Sequence, residues 1–168
     1  MSIGESEGIS IERGTLSRLE DWIALRQALW PEAAAEELRH GAEALMNGSR
    51  RAAFFLALTV RQGTVGFAEA TLRTDYVNGC DTSPVGFLEG IYVQPNWRRR
   101  GVARRLSAAV EDWAAGMGCS ELASDALLEN TGSHRMHTAL GFEETERVVY
   151  YRKQLSPRGG CVSTTGDG

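Results

Sequence analysis

Lysine is almost absent from this chain of 168 residues: Lys153 stands alone, and every other fixed positive charge is an arginine. Cysteine is scarce too. Cys80, Cys119 and Cys161 form an odd, widely spaced set, which matches neither a disulfide scaffold nor a zinc signature and leaves free thiols in a reducing cytoplasm as the expectation. No apolar run approaches membrane-spanning length, so no membrane segment is expected. The first residues, Met1 to Glu7, lack the basic stretch followed by an apolar core that marks a secretory signal. Positive charge is not in excess either: 22 acidic and 18 basic residues give a formal charge of -4. A continuous basic face of the kind that binds nucleic acid is therefore not expected.

What remains suits an ordinary folded domain. The hydrophobic fraction is 42% and the charged fraction 24%, which excludes global disorder. The length supports one well-buried core. Residues 1–155 read as a single domain, and the Gly-, Ser- and Thr-rich stretch 156–168 as a flexible tail. The segment from Glu5 to Glu43 carries more acids than bases, which favours a cationic partner.

Periodicity sets out the elements. Ile9 to Arg13 is a short strand. Leu19, Trp22, Ile23, Leu25, Ala28 and Leu29 form a helical stripe within residues 16–29, interrupted by Pro31. A second helix is expected over 32–46, stopping at Asn47-Gly48, with Trp30-Pro31 as an exposed junction. Residues 54–60 and 65–72 pair as strands around the turn at Arg61 to Thr64. Asp75 to Pro84 is a loop, and residues 87–93 a strand. A regular pleat there puts Phe87, Glu89, Ile91 and Val93 on one face, although Gly90 signals a bulge or a close backbone approach. Next come a helix with the stripe Val102, Leu106, Ala109, Val110 and Trp113, a strand over 119–124, and a helix N-capped by Asn130 and stopped at Gly141. Phe142 to Lys153 is expected to close the sheet with one or two strand segments. The order implies an α/β fold with a mixed sheet and helices on both faces.

The strongest chemical signal lies where the strand ending at Val93 passes through Gln94-Pro95-Asn96-Trp97 into Arg98-Arg99-Arg100-Gly101-Val102-Ala103 and a helix. A helix start exposes unpaired backbone N–H groups at its positive end, which suits an anion. Gly101 can take backbone angles closed to other residues, and Ala103 leaves room beside the turn. The alternative is a solvated arginine cluster, but its placement at a strand-to-helix turn favours a phosphate site.

The pattern Arg98-x-x-Gly101-x-Ala103, preceded by Gly90-Ile91-Tyr92-Val93, resembles the acetyl-CoA motif of the GNAT superfamily of N-acetyltransferases. Asn130-x-x-Ser133 and Leu140-Gly141-Phe142 fit that superfamily's second cofactor segment, and the likeness spans residues 9–155. The resemblance implies acetyl-CoA as donor and a mostly antiparallel sheet with splayed central strands. It places the pyrophosphate on the main chain from Arg98 and Arg99 through Arg100, Gly101, Val102 and Ala103. It also places the pantetheine arm along Ile91, Tyr92 and Val93, with Asn130 beside the cofactor. His137 stands where many members carry a tyrosine that protonates the departing thiolate; a histidine there can donate a proton, hydrogen-bond or fill space.

A narrower similarity is to aminoglycoside 6'-N-acetyltransferases. It rests on Asp75-Tyr76-Val77-Asn78-Gly79, Phe87 to Val93, Ala123-Ser124-Asp125-Ala126, Asn130 to His137 and Gly141-Phe142-Glu143-Glu144. That family transfers acetyl to the 6'-amine of the antibiotic and commonly dimerises, so the resemblance implies an aminoglycoside partner and a homodimer. It marks Asp125 as an acceptor carboxylate that assists deprotonation, and Glu144 as added negative potential. Trp22 and Tyr76 become candidate wall residues, with core packing the other reading of Trp22.

The residues agree with such chemistry. A protonated amine must lose its proton before attacking a thioester, and carboxylates both attract a polycation and receive protons. Glu89, an ionisable group inside an apolar strand, is read as an acceptor-binding residue or a base acting through water; its bland alternative is a solvent-facing or internally bonded carboxylate. Asp125, where a strand yields to a loop, has a turn-capping alternative. His134 and His137 share a helix face without a third ligand, so no metal is expected. Cys119 is expected to pack in a strand, which leaves direct transfer in a ternary complex. Acetylation of a polyamine, metabolite or protein N-terminus, or non-catalytic acyl-CoA binding, are the competing readings.

Overall fold

The computed structural model describes residues 8–47 and 50–155; the expected tail and Cys161 lie outside them. The elements are β1 (Ile9–Arg13), α1 (Leu19–Leu29), α2 (Ala35–Asn47), β2 (Ala52–Thr59), β3 (Gly63–Arg73), β4 (Val85–Val93), α3 (Val102–Gly116), β5 (Leu122–Ser124) and α4 (Thr131–Leu140). The strands form one sheet in the order β1-β2-β3-β4-β5. The first four are antiparallel neighbours, and β5 joins β4 in parallel. Parallel strands require a crossover, and α3 supplies it.

Strand periodicity explains the two cores. Along β2, Ala53, Phe55 and Ala57 face Val102, Leu106, Val110 and Trp113 of α3, while Phe54, Leu56 and Leu58 face Trp22, Ile23 and Leu25 of α1 and Ala42 of α2. Both faces are thus covered, and β2 reads as a continuous apolar run because each side buries its own set. On the α3 face two of the three β2 side chains, Ala53 and Ala57, are small. Large ones on the other face fill the space under two shorter helices.

Several expectations change. Residues 16–18 form a 3-10 turn, so α1 starts at Leu19, and α2 starts at Ala35 instead of Glu32. Trp30 is half-buried and sets its ring edge-on to Phe67, with centroids 6.4 Å apart, instead of lying exposed. The largest difference concerns residues 142–155, which carry no helix or strand. A strand exists only in a ladder, whatever its composition. Past Gly141 the chain turns toward the 75–84 loop instead of a sheet edge: Asn78 Nδ2 donates to Glu146 Oε2 at 3.4 Å, and Thr145 lies against Gly79. No helix among the described residues is long and apolar enough to cross a membrane.

Candidate active site

The site begins at a fork in the sheet. β4 and β5 pair only through Gly86, Phe87 and Leu88 opposite Leu122, Ala123 and Ser124. β5 then stops, while β4 continues to Val93 with β3 on its other side. In an antiparallel pair, alternate residues aim both N–H and C=O away from the partner. Beyond Leu88 those outward groups of β4 face the side that β5 has left. The result is a slot edged by main-chain donors and acceptors, which suits the amide-bearing pantetheine arm. Glu89 and Asp125 are the first residues past the last paired couple, Leu88 and Ser124, on the two diverging strands.

A bulge aims Glu89. Glu69 pairs with Gly90 and Ala70 with Leu88, so Glu89 is the extra residue between them. The expected regular alternation fails here. Leu88, Ile91 and Val93 turn to the α3 face, whereas Phe87 joins Val77 and Val85 in a separate small core. One inserted residue shifts the parity of everything after it. Gly90 has the close approach that its lack of a side chain signals: a Cβ there would lie 2.7 Å from Trp30 Cη2.

Glu89 is not free. Arg73 Nη2 donates to its two carboxylate oxygens at 3.0 and 3.1 Å, and Thr71 Oγ1 donates to Oε1. The Arg73 guanidinium carbon lies 3.3 Å from the Phe87 ring centroid. Neither Thr71 nor Arg73 is among the residues the sequence singles out.

The slot leads to the start of α3. Gly101 adopts φ +76 and Arg99 φ +62, and the first helical bond is from Arg105 N–H to the Gly101 carbonyl at 3.1 Å. The amides of Val102, Ala103 and Arg104 therefore precede the ladder. The first turn carries no acidic residue, so nothing opposes the positive helix end. A Cβ on Gly101 would meet no atom within 4 Å; open space and exposed donors fit a pyrophosphate. The three arginines divide their work. Arg98 Nε donates to the Val93 carbonyl at 2.9 Å, tying the turn to the end of β4, and Arg100 lies over the Trp97 ring at 4.8 Å.

On the other side of the fork, Asn130 caps α4 as expected, its Oδ1 accepting from Ser133 N–H at 3.0 Å. His137 Nδ1 lies 2.8 Å from the Ser133 carbonyl and 3.2 Å from the Ser133 hydroxyl. Its Nε2 meets Ser124 Oγ at 2.9 Å, and that hydroxyl lies 3.0 Å from the Leu88 carbonyl. His137 thus ties α4 to the last residue of β5 at the mouth of the fork, with both ring nitrogens engaged. Ser124 lies in the quoted stretch 123–126, but its spacing alone assigns it no role.

The remaining candidates separate. Asp125 and Tyr76 are exposed. Glu144 is exposed and paired with Arg147, whose hydrogen bond holds its carboxyl below the ordinary value. Glu146, two residues on, accepts from Asn78 of the 75–84 loop. Trp22 must be corrected. It is fully buried, stacked on Phe54 with centroids 3.7 Å apart, and its Nε1 donates to Glu69 at 3.0 Å. Its indole belongs to the core and presents no face to a ligand. Glu69 pairs with Arg26 at 3.4 Å. Burial, countered by Arg26 and Trp22 and assisted by Glu89, pushes its carboxyl up to about 7. Among the described residues no group of three or more His, Cys, Asp or Glu could hold a metal.

A forked sheet with an amide-lined slot running to an unneutralised helix start is the architecture of an acyl-CoA enzyme. Residues 19–142 match the acetyltransferase (GNAT) family, and the chain belongs to that family. It is 52% identical over 137 residues to an aminoglycoside N(6')-acetyltransferase type 1 of Serratia marcescens, covering 82% of this chain and 93% of that protein. AAC(6')-Iy in complex with CoA superposes with a TM-score of 0.85 at 45% identity, over 92% of this chain and 100% of that one. The same enzyme with the bisubstrate analog CoA-S-monomethyl-acetylneamine gives 0.82 at 47% identity, over 88% and 99%.

Proposed function

We propose that this chain transfers the acetyl group of acetyl-CoA to the 6'-amine of an aminoglycoside by direct attack in a ternary complex. The observation that carries the reading is the placement of Glu89 and Asp125 as the first residues past the paired part of the fork, one on each strand. The relatives at 45 to 52% identity are enzymes with this named activity, which supports the choice of acceptor.

The donor's pyrophosphate rests on the backbone from Arg99 to Ala103, held in place by Arg98. Its arm follows Ile91, Tyr92 and Val93, with Asn130 and His137 shaping the opposite wall. Asp125 takes one proton from the acceptor ammonium, and the freed amine attacks the thioester carbon. Main-chain N–H groups beyond the fork stabilise the oxyanion of the tetrahedral intermediate. The C–S bond then breaks, and the thiolate takes up the second proton, which the attacking nitrogen sheds as it becomes an amide. Glu89, Glu144 and Tyr76 bind the acceptor, and Glu146 is held at Asn78, on the same loop as Tyr76. Asp125→Ala is expected to lower kcat/KM by about 10²-fold, the usual scale of general-base loss, with acetyl-CoA affinity unchanged in a calorimetric titration. Unchanged turnover would remove Asp125 from the reaction.

The enzyme works as a homodimer in the cytoplasm, where Cys80 and Cys119 remain thiols. Support for the dimer comes from residues 142–155. They leave Tyr150 and Tyr151 85% and 93% exposed, beside exposed Val149 and Leu155. An exposed apolar run such as Val148 to Tyr151 calls for a partner. Light scattering is expected to give twice the 18.3 kDa monomer mass; the monomer mass alone would contradict the dimer.

A further inference from the structure

Glu89 carries a cation of its own. Arg73 grips both oxygens of its carboxylate, and Thr71 donates to one of them. The arrangement is built by the sheet, since Thr71 and Arg73 lie on β3 opposite Phe87 and Val85 of β4. Both charged side chains reach solvent, Arg73 with 40% and Glu89 with 29% of the side chain exposed. We propose that Arg73 is a tethered competitor of the acceptor, occupying the carboxylate at which an acceptor ammonium group docks, and so selects for acceptors with several positive charges.

The inference rests on Glu89 being an acceptor-binding carboxylate. With Arg73 in place, the Glu89 pair has no net charge to offer. Docking there exchanges one cation for another. A single ammonium gains little from that exchange, because the intramolecular guanidinium is always at hand. An acceptor with several ammonium groups anchors on other carboxylates first, which turns the exchange at Glu89 into an intramolecular step. Half-exposed ion pairs are weak, so Arg73 can be displaced. The Phe87 ring, already under its guanidinium at 3.3 Å, remains as a cation–π platform once the carboxylate is taken. Thr71 and the bulge, rather than Arg73, then keep Glu89 aimed. If Arg73 served only to orient Glu89, its removal would weaken acceptor binding. Competition has the opposite sign.

The test uses Arg73→Gln, which keeps the first part of the stem but is shorter and drops the charge, assayed with acetyl-CoA and kanamycin at low salt. The KM for kanamycin is expected to fall about two- to fivefold, the range set by an exposed ion pair, with kcat changed far less. Arg73→Lys restores a competing cation and should return KM toward the original value. Raising the salt should narrow the difference. In a Glu89→Gln background the Arg73 effect should vanish, because its only route is through that carboxylate. If Glu89→Gln raises KM but Arg73→Gln leaves it unchanged or raises it, the competitor role is overturned and the acceptor role of Glu89 stands. If Glu89→Gln leaves KM unchanged, both are overturned.

Discussion

Glu69 sits on β3 with 2% of its surface exposed, between Trp22 Nε1 and the Arg26 guanidinium. Burial outweighs the two favourable partners, and the carboxyl holds its proton to about 7 against an ordinary 4.5. Between those values the folded protein binds more protons than the unfolded chain. The stability this group contributes is therefore complete below 4.5 and is lost as pH rises through about 7. Glu20, Glu121 and Glu144, whose carboxyls are lowered by hydrogen bonds, act on the acid side of 4.5 and do not overlap that window. Denaturation midpoints measured from pH 4.5 to 7 are expected to show a downward contribution that Glu69→Gln removes; an identical slope in the variant would place the titration elsewhere. Such a residue is half-legible in sequence. The criterion that singles out Glu89, a carboxylate inside an apolar strand, applies equally to Glu69. What makes the two differ is tertiary: α1 covers Glu69 with an indole and an arginine, whereas the bulge turns Glu89 toward solvent and Arg73. Trp22 misleads for the same reason, since nothing in its spacing tells a buried indole from one lining a cleft.

At the scale of elements, period and punctuation recover the helices and β1 to β4, because their apolar stripes and turn residues act locally. Two features escape that logic. The bulge next to Gly90 is signalled by that glycine, but that Glu89 is the inserted residue, and so the change of face, is seen only in the register with β3. The segment 142–155 has strand-forming residues without a neighbouring edge, so composition alone promises a ladder that this chain does not build. The turn before α3 is better behaved, and its glycine can be tested on its own. Gly101 sits at φ +76 with nothing near a potential Cβ, so any cost of Gly101→Ala comes from backbone conformation and not from a clash. A loss of about 1 kcal/mol in stability is expected from the left-handed geometry, together with weaker acetyl-CoA binding as the amides shift. Gly101→Asn, better tolerated in that region, should lose less. Equal stability of all three proteins in urea titrations would show that the turn relaxes without strain.

For the molecule as a whole, the proposed donor and acceptor groups are each drawn from both walls of one fork, where β4 and β5 part. In the proposed reaction the α3 turn receives the anionic end of the donor, and the carboxylates at the mouth, in a chain of net charge -4, receive a cation. The arginine turn and the order of elements were readable in sequence because they follow from local spacing. The fork was readable only through resemblance, since it depends on how far β5 accompanies β4. The proposed reaction stands on this fork carrying acetyl to the 6' nitrogen. The direct measurement is an NMR spectrum of kanamycin recovered after incubation with the enzyme and acetyl-CoA, alongside the free CoA released. The account predicts one acetyl group per antibiotic, on the 6' nitrogen, matched by an equal amount of CoA. Acetylation at another amine, or no CoA release that depends on the acceptor, would contradict it.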